Sequence, residues 1–434
     1  MKTTNPELNR QMIYSVFVRN HTKEGTFAAL EKDLDRIKSL GTEILWLMPL
    51  YPVGKVKRKG KDGSPYAIAD YEQTNPEMGT VEEFEHLVKT AHEKGMKVIV
   101  DVVYNHTSPD SKLYENHPEW FYKDENGEPS SLVKDWSDII DLDYSQPELS
   151  DELSRILSDW GARCDGFRCD VASRVPLEFW KKARKEADEK NPDLFWLAES
   201  VHQPFLQFIR EQGRYGASDG ELYEVFDAEY DYDIWPFYEA VLKGEKPISA
   251  WLEELERQET VYPQNFIKMH CLENHDNERF ASYISDEYQW KNWTALLFML
   301  KGMPLIYHGQ EFMNEHRPSI FDQDVVHPEG KDQSRFIAAL AQLHANVLPA
   351  GGPVRLKADD EQGTAFAARQ GFAGIFALKT EKSLLKVPFQ DGLYENLISG
   401  KTFEIQNHMV SESVLPVIFR SDKSIQDLTD LKQG

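Results

Sequence analysis

The stretch Gly166-Phe167-Arg168-Cys169-Asp170 decides the fold prediction, because it is an apolar run that closes on a guanidinium and a carboxylate. In a β-strand, side chains at positions i and i+2 point to the same face, so Arg168 and Asp170 are predicted to lie side by side. A guanidinium beside a carboxylate favours the ionised carboxylate, which suits a nucleophile rather than a general acid. The same pairing is common in structural salt bridges, so the stretch by itself leaves both interpretations open.

Three further segments repeat this pattern of a short apolar run closed by polar side chains. They are 101–106 (DVVYNH), 196–199 (WLAE) and 273–276 (ENHD). In a (β/α)8 barrel every strand ends at the same rim, so acids on different strand ends converge on one pocket. Glu199 follows Asp170 by 29 residues, about one β/α unit, and Asp276 follows Glu199 by 77, which leaves room for two more. We therefore predict acids after barrel strands four, five and seven.

Strands alternate with amphipathic helices over the first 350 residues, which is typical of a parallel α/β fold. A first helix is predicted over 26–40, where apolar residues recur at helical spacing, and a late one over 334–346. The predicted barrel strands besides the stretch quoted first are 12–18, 43–48, 97–103, 194–198, 222–226, 266–272 and 303–307.

Two departures from this alternation predict additional units. Asp170 follows Asp101 by 69 residues, too many for one β/α unit, so we predict an inserted subdomain over 106–144 between strand 3 and helix 3. From 351 onwards the pattern becomes short alternating strands separated by turn formers, typical of an antiparallel β-sandwich. The prediction is therefore a (β/α)8 TIM barrel over 1–105 and 145–350, with an all-β C-terminal domain over 351–434.

The four polar segments resemble, in their order, the four main sequence regions of the α-amylase family of glycoside hydrolases, and the resemblance extends from about residue 12 to the C-terminal domain. It implies a retaining enzyme with Asp170 as nucleophile, Glu199 as proton donor and Asp276 as transition-state stabiliser. Retention requires two carboxyl groups about 5 to 5.5 Å apart. Because Glu199 follows an apolar run, we expect burial to raise its pKa towards the range of a general acid.

The same resemblance implies four residues that contact the sugar at the cleavage point. Tyr66 resembles the aromatic residue that stacks under this sugar, although Ala67 stands where many members have Asp. The other three implied substrate contacts are His106, Arg168 and His275.

Composition limits the partners. The formal net charge of −24 disfavours a polyanion such as nucleic acid, and no apolar run reaches the roughly 18 residues of a membrane helix. Residues 1–10 are polar and show no signal-peptide pattern. The three cysteines, without a C-x-x-C spacing, are expected to be buried reduced thiols. We expect a cytoplasmic protein whose partner is an α-glucan oligosaccharide or polysaccharide, with its oligomeric state left open.

A structural calcium ion is the one cofactor that the resemblance raises. Asn105 matches a position that binds Ca²⁺ in many relatives, yet calcium-binding members often carry Lys-His where this chain has Ser173 and Arg174. A hard oxygen-rich site needs several ligands, and acids on the surface of an acidic protein are usually solvated. The sequence therefore favours a protein that requires no cofactor, and we assign no metal ligands.

Four functions remain to be compared. The leading one is hydrolysis of α-1,4 bonds in maltodextrins or starch. A 4-α-glucanotransferase would use the same intermediate and pass it to a sugar, and an α-1,6-acting glucosidase is a further option because the position of Val171 tunes linkage preference in some relatives. The fourth, an inactive glycan-binding or transporter-associated scaffold, is disfavoured by the intact acids.

Overall fold

The computed structural model describes residues 4–380 and 382–421. Eight parallel strands close into a barrel in the spatial order 1-8-7-6-5-4-3-2, and strand 1 pairs with strand 8 through Ile13 and Leu305. Every residue of these strands is buried except Lys97 at the outer start of strand 3. The barrel strands, numbered 1 to 8 from here on, are Ile13–Val16, Ile44–Leu47, Lys97–Val102, Gly166–Cys169, Phe195–Ala198, Ala228–Tyr230, Lys268–Cys271 and Met303–Tyr307.

Helices follow the strands and cover the outside of the barrel. The one after strand 2 begins at a capping box, in which Thr80 Oγ1 accepts the Glu83 amide and the Glu83 carboxylate accepts the Thr80 amide. None of the helices in the described residues is long and apolar enough to cross a membrane. The α-helices are Val18–His21, Phe27–Glu31, Leu34–Ser39, Val81–Glu93, Lys112–Asn116, Pro147–Gly161, Leu177–Lys190, Gln203–Glu211, Asp219–Leu222, Trp235–Leu242, Ile248–Val261, Phe280–Tyr283, Glu287–Met299 and Ser334–Asn346.

Two predicted elements differ from the structure. The helix predicted over 26–40 is two helices, interrupted where the Asp33 carboxylate accepts from Arg36 and lies 2.8 Å from His21 Nε2. The strand predicted over 222–226 is wrong: a capping box at Ser218 starts a short helix there, and strand 6 begins only at Ala228. Apolar runs of this length are compatible with a buried turn as well as a strand.

The segment between strand 3 and the helix Pro147–Gly161 lies over the rim of the barrel. It contains a two-stranded antiparallel sheet, His106–Thr107 with Ile140–Asp141, in which His106 pairs with Asp141. We call residues 106–144 the insertion. The small sheet ties the far end of the insertion back to the residues that follow strand 3.

The fold class predicted from the sequence is confirmed, since the barrel is followed by an antiparallel sheet domain with its own core. A four-stranded sheet runs in the order Arg355–Asp359, Thr364–Arg369, Phe372–Ala377 and Val417–Arg420. Two ladders complete the domain: Leu384–Lys386 with Met409–Ser411, and Gly392–Asn396 with Lys401–Ile405. Residues 1–3 of the predicted barrel region, and 381 and 422–434 of the predicted C-terminal domain, lie outside the described residues.

Candidate active site

Arg168, at the end of strand 4, is fully buried among three carboxylates at the mouth of the barrel. Its Nη1 donates to Asp101 Oδ1 and to Asp170 Oδ1, both at 2.9 Å. Its Nη2 lies 2.9 Å from Glu199 Oε1, and its Nε donates to Tyr230 Oη at 3.1 Å. One guanidinium therefore joins the carboxylates at the ends of strands 3, 4 and 5.

The two carboxylate oxygens of Asp170 differ in their partners. Its Oδ1 is held by Arg168, whereas its buried Oδ2 has no hydrogen-bond partner among the residues the structure describes. Asp170 lines the pocket beside Glu199. A carboxylate that is fixed at one oxygen and open at the other suits a nucleophile.

The residue after Asp170 holds the second carboxyl group in place. Val171 adopts a left-handed conformation with φ of 39°, uncommon for a β-branched residue. Its amide donates to Glu199 Oε2 at 2.6 Å. Backbone strain of this kind is retained where the surrounding structure fixes it, often at functional sites.

Burial controls the protonation of the three carboxyl groups. Burial and the nearby Glu199 raise the pKa of Asp170 well above its ordinary value, against the opposing Arg168. Burial likewise raises the pKa of Glu199, and it raises the pKa of Asp101 to about 7. The expectation that Arg168 keeps the pKa of Asp170 low is thus corrected, because desolvation outweighs the guanidinium. Carboxyl groups this close share protons and titrate together.

Tyr66, His275 and Asp276 meet on the other side of the pocket. Tyr66 Oη lies 2.7 Å from His275 Nε2 and 3.2 Å from Asp101 Oδ2, and His275 Nε2 lies 3.1 Å from Asp276 Oδ2. Burial, with help from Arg168, lowers the pKa of His275 to about 3, so its ring stays neutral. The Asp276 side chain is 42% exposed and reaches the pocket.

His106 is the first residue of the insertion and lines the pocket. Its Nδ1 lies 2.9 Å from Asn105 Nδ2, and its ring lies 5.7 Å from that of Trp136. Burial lowers the pKa of His106 to about 4, which keeps it neutral at ordinary pH.

The pocket, of about 430 Å³, brings five of the predicted site residues together: Tyr66, His106, Asp170, Glu199 and Asp276. Arg168 and His275 lie directly behind them and hold them through the contacts above. Sequence reasoning missed several lining residues, which lie on loops, on the insertion and, for Phe205 and Trp235, in two helices. These are Lys59, Ser64, Trp136, Asp138, Ile139, Val201, His202, Phe205, Tyr232, Trp235, Asn277, Ile320 and Phe321.

The family follows from comparison of the chain with known proteins. Residues 12–346 match the profile of the α-amylase catalytic domain, and residues 355–419 match that of the bacterial α-amylase C-terminal domain. The chain belongs to the α-amylase family of glycoside hydrolases. A solved α-amylase from Lactobacillus plantarum is 42% identical to it, with a TM-score of 0.92 over 96% of this chain and 100% of that one.

Two curated members of the family are longer than this chain. An α-amylase of Haloarcula japonica is 27% identical over 69% of this chain and 44% of its own length. An α-1,4-glucan:maltose-1-phosphate maltosyltransferase of Myxococcus xanthus is 29% identical over 56% of this chain and 37% of its own length. The chain thus spans less than half the length of these two relatives.

Asn105, which matches a calcium-binding position of many relatives, lies beside a buried ion pair. Leu142 donates its amide to the Asn105 carbonyl at 3.1 Å, so the preceding residue, Asp141, lies beside Asn105. Arg174 Nη2 donates to Asp141 Oδ2 at 2.7 Å, and both side chains are buried. In the described ranges, no group of three His, Cys, Asp or Glu side chains is arranged to hold a metal ion. The Arg174 guanidinium thus supplies positive charge to Asp141.

Proposed function

We propose that the protein is a retaining α-glucan hydrolase that cleaves α-1,4-glucosidic bonds of maltodextrins or starch through a covalent glycosyl-enzyme intermediate. One observation carries the proposal: Arg168 fixes one oxygen of Asp170 and leaves the other without a partner among the described residues, at a pocket that Asp170 and Glu199 both line. Membership of the α-amylase family supports the substrate class.

In the first step, Asp170 Oδ2 attacks the anomeric carbon of a glucosyl unit. The bond from that carbon to the leaving oxygen breaks, and the Glu199 carboxyl proton passes to this oxygen. The shortened glucan departs and a glycosyl ester remains on Asp170. The pKa of Glu199, raised by burial, favours the protonated form that this step requires.

In the second step, the Glu199 carboxylate takes a proton from water. The water oxygen attacks the anomeric carbon, the ester bond breaks and Asp170 returns to its carboxylate form. Two displacements at one carbon restore the α configuration. The Arg168 guanidinium stabilises the negative charge that returns to Asp170.

The remaining site residues orient the sugar. Tyr66 is partly exposed at the pocket, so its ring can stack on an apolar sugar face. Neutral His106 lines the pocket and can exchange hydrogen bonds with hydroxyl groups, whereas His275 supports Tyr66 and Asp276 from behind. Asp276 supplies negative charge near the oxocarbenium-like transition state.

The test is incubation with maltoheptaose and separation of the products over time. Hydrolysis gives only oligosaccharides shorter than the substrate. Absence of any product with purified, folded protein would refute the proposal, and Asp170→Asn protein serves as the background control.

Transfer to a second sugar is the alternative that the maltosyltransferase relative favours. The partly exposed rings of Trp136 and Phe205, 6.1 Å apart near Glu199, offer an apolar surface for an acceptor. In the same experiment, early products longer than maltoheptaose would identify a glucanotransferase. An α-1,6-linked substrate such as isomaltotriose tests the third option.

We also propose that no calcium ion is needed, because the buried Arg174 guanidinium pairs with Asp141. A cytoplasmic location is a further proposal, supported by three buried cysteines that form no disulfide. Fractionation of the source cells, with α-glucan-cleaving activity assayed in each fraction, tests the location.

A further inference from the structure

Two loops on one side of the pocket are hydrogen-bonded to each other. They are residues 55–64, between strand 2 and its helix, and residues 319–323, which follow strand 8; we call them together the rim wall. The amides of Asp62 and Gly63 donate to the Phe321 carbonyl at 3.0 and 2.8 Å. The two loops therefore form one continuous barrier rather than two separate flaps.

Arg19, which follows strand 1, anchors the rim wall from below. Its side chain is buried, and Nη1 donates to the carbonyl oxygens of Gly63 at 2.9 Å and Ile320 at 3.3 Å. Strand 1 lies between strands 2 and 8 in the barrel. One buried cation thus holds both loops on the barrel that lies below them.

Lys59 closes the rim wall against the insertion. Its Nζ lies 3.0 Å from Asp138 Oδ1, donates to the Asp135 carbonyl at 2.7 Å and lies 5.9 Å from the centre of the Phe321 ring. The Asp138 carboxylate is buried, and Lys59, Asp138 and Phe321 all line the pocket. A single side chain therefore connects the loop after strand 2, the loop after strand 8 and the insertion.

The rim wall lies across the barrel mouth from Glu199. In a ring of eight strands, strand 5 is opposite strand 1, whose neighbours 2 and 8 carry the wall. A proton donor must lie on the side of the leaving oxygen, so the leaving sugar lies towards Glu199 at the end of strand 5. The sugar that is transferred to Asp170 then points towards the wall. In an α-1,4-glucan this sugar carries the part of the chain that ends at the non-reducing end.

We propose that the rim wall, closed by Lys59, blocks the non-reducing side of the pocket, so that the enzyme removes short units from the non-reducing ends of α-glucans rather than cutting within chains. The inference rests on the proposed function, because it takes Glu199 as the proton donor.

The two sides of the pocket differ in the surface that lies beyond them. The pocket volume of about 430 Å³ lies within the range of small-molecule sites. On the side of strand 5, the ring of Phe205 stacks on exposed Phe208 with centroids 6.2 Å apart. A glucan of any length can extend across that open apolar surface on the leaving side.

Two substrates test the proposal: maltoheptaose, and maltoheptaose whose non-reducing glucose is blocked by a 4,6-O-ethylidene group. We expect the wild-type protein to cleave the blocked substrate at least about tenfold more slowly, a difference of about 1.4 kcal/mol in barrier. In Lys59→Ala the ratio of unblocked to blocked rates should fall, because the wall is no longer fastened to the insertion. Lys55→Ala, on the same loop with an exposed side chain, is the matched control and should keep the wild-type ratio.

Each outcome decides a different point. Equal wild-type rates on both substrates would overturn the proposal, and a ratio unchanged in Lys59→Ala would overturn the closure by Lys59. No cleavage of unblocked maltoheptaose would refute the proposed function itself, on which the inference depends. If the alanine variant does not fold, Lys59→Met replaces it in the test. This substitution keeps an aliphatic side chain over Phe321 and removes the charge, and it should also lower the ratio of unblocked to blocked rates.

Discussion

Arg174 and Asp141 form a buried ion pair that joins the end of strand 4 to the insertion. Arg174 Nη2 lies 2.7 Å from Asp141 Oδ2, and the two side chains are 5% and 3% exposed. The Asp141 carboxylate also accepts the Leu132 amide at 2.9 Å, and the Arg174 guanidinium lies 5.6 Å from the centre of the Trp136 ring. The pair therefore supports both the fold of the insertion and the pocket residue Trp136.

Chelation should leave the stability of the protein almost unchanged. A tightly bound ion at a thousandfold excess over its Kd stabilises the native state by about 4 kcal/mol, which would shift melting by several degrees. We expect prolonged EDTA treatment to lower the Tm by less than several degrees, because the Arg174 guanidinium already neutralises the charge of the buried Asp141 carboxylate. A large decrease in Tm that Ca²⁺ reverses and Mg²⁺ does not would contradict the proposal.

Replacement of Arg174 by Met should be strongly destabilising. It leaves the Asp141 carboxylate buried without its cation, a change that costs about 3 to 5 kcal/mol. Urea unfolding measures the loss in free energy of unfolding. The double variant Arg174→Met with Asp141→Asn should recover part of that loss. Lys190→Ala, which breaks an exposed pair with Asp159, is the control and should cost at most about 1 kcal/mol. Equal effects of the two substitutions would show that the buried pair has no special role.

Loss of either carboxyl group at the reaction centre should abolish most of the activity. We expect Asp170→Asn and Glu199→Gln each to lower kcat on maltoheptaose at least about a thousandfold, because nucleophile and acid act as a unit. With α-maltosyl fluoride, whose leaving group needs no protonation, Glu199→Gln should regain the first step and release a burst of fluoride, although it lacks the base for the second step. Asp170→Asn should release no such burst. Glu278→Gln, an exposed acid on the same rim, should retain wild-type rates. More than a tenth of wild-type activity on maltoheptaose in either variant would refute the assigned role.

The pH profile should reflect the raised pKa values. Asp170 must be ionised, and burial and Glu199 raise its pKa, so kcat/KM should fall on the acid side well above the ordinary value of about 4 for Asp. Glu199 must be protonated, so activity should fall again as pH rises through its own raised pKa. In Glu199→Gln, assayed by fluoride release from α-maltosyl fluoride, the basic limb should disappear because it reports deprotonation of Glu199, whereas the acid limb set by Asp170 should remain. A basic limb that persists in Glu199→Gln would contradict its assignment to Glu199.

The sequence predicted the parts of the site that are set by strand ends. Strand 8 and the helix Ser334–Asn346 lie at the predicted residues, since both are bounded by clear helix and strand signals. The spacing of Arg168 and Asp170 correctly predicted that both lie on one face, because side chains at positions i and i+2 of a strand point the same way. Strand 6 was misplaced because the apolar residues near Phe226 fill a buried turn, and burial alone does not distinguish a turn from a strand.

The sequence could not predict contacts that depend on how loops fold back. Arg174 pairs with Asp141, yet nothing local to the chain selects Asp141 rather than its neighbours Asp135, Asp138 and Asp143. The meeting of Lys59 with Asp138 and Phe321 joins three loops distant in sequence, and only the closed barrel brings them together. The direction in which the pKa of Asp170 shifts depends on burial, which a sequence motif does not specify.

The central claim is that Asp170 and Glu199 perform a double displacement at one carbon. The most direct measurement is ¹H NMR of the first products released from maltoheptaose, recorded before mutarotation equilibrates the anomers. A retaining mechanism predicts that the new reducing end appears first as the α anomer and that β signal follows only later. An initial β-anomer signal would contradict the account, because it would mean a single displacement by water without a glycosyl ester on Asp170.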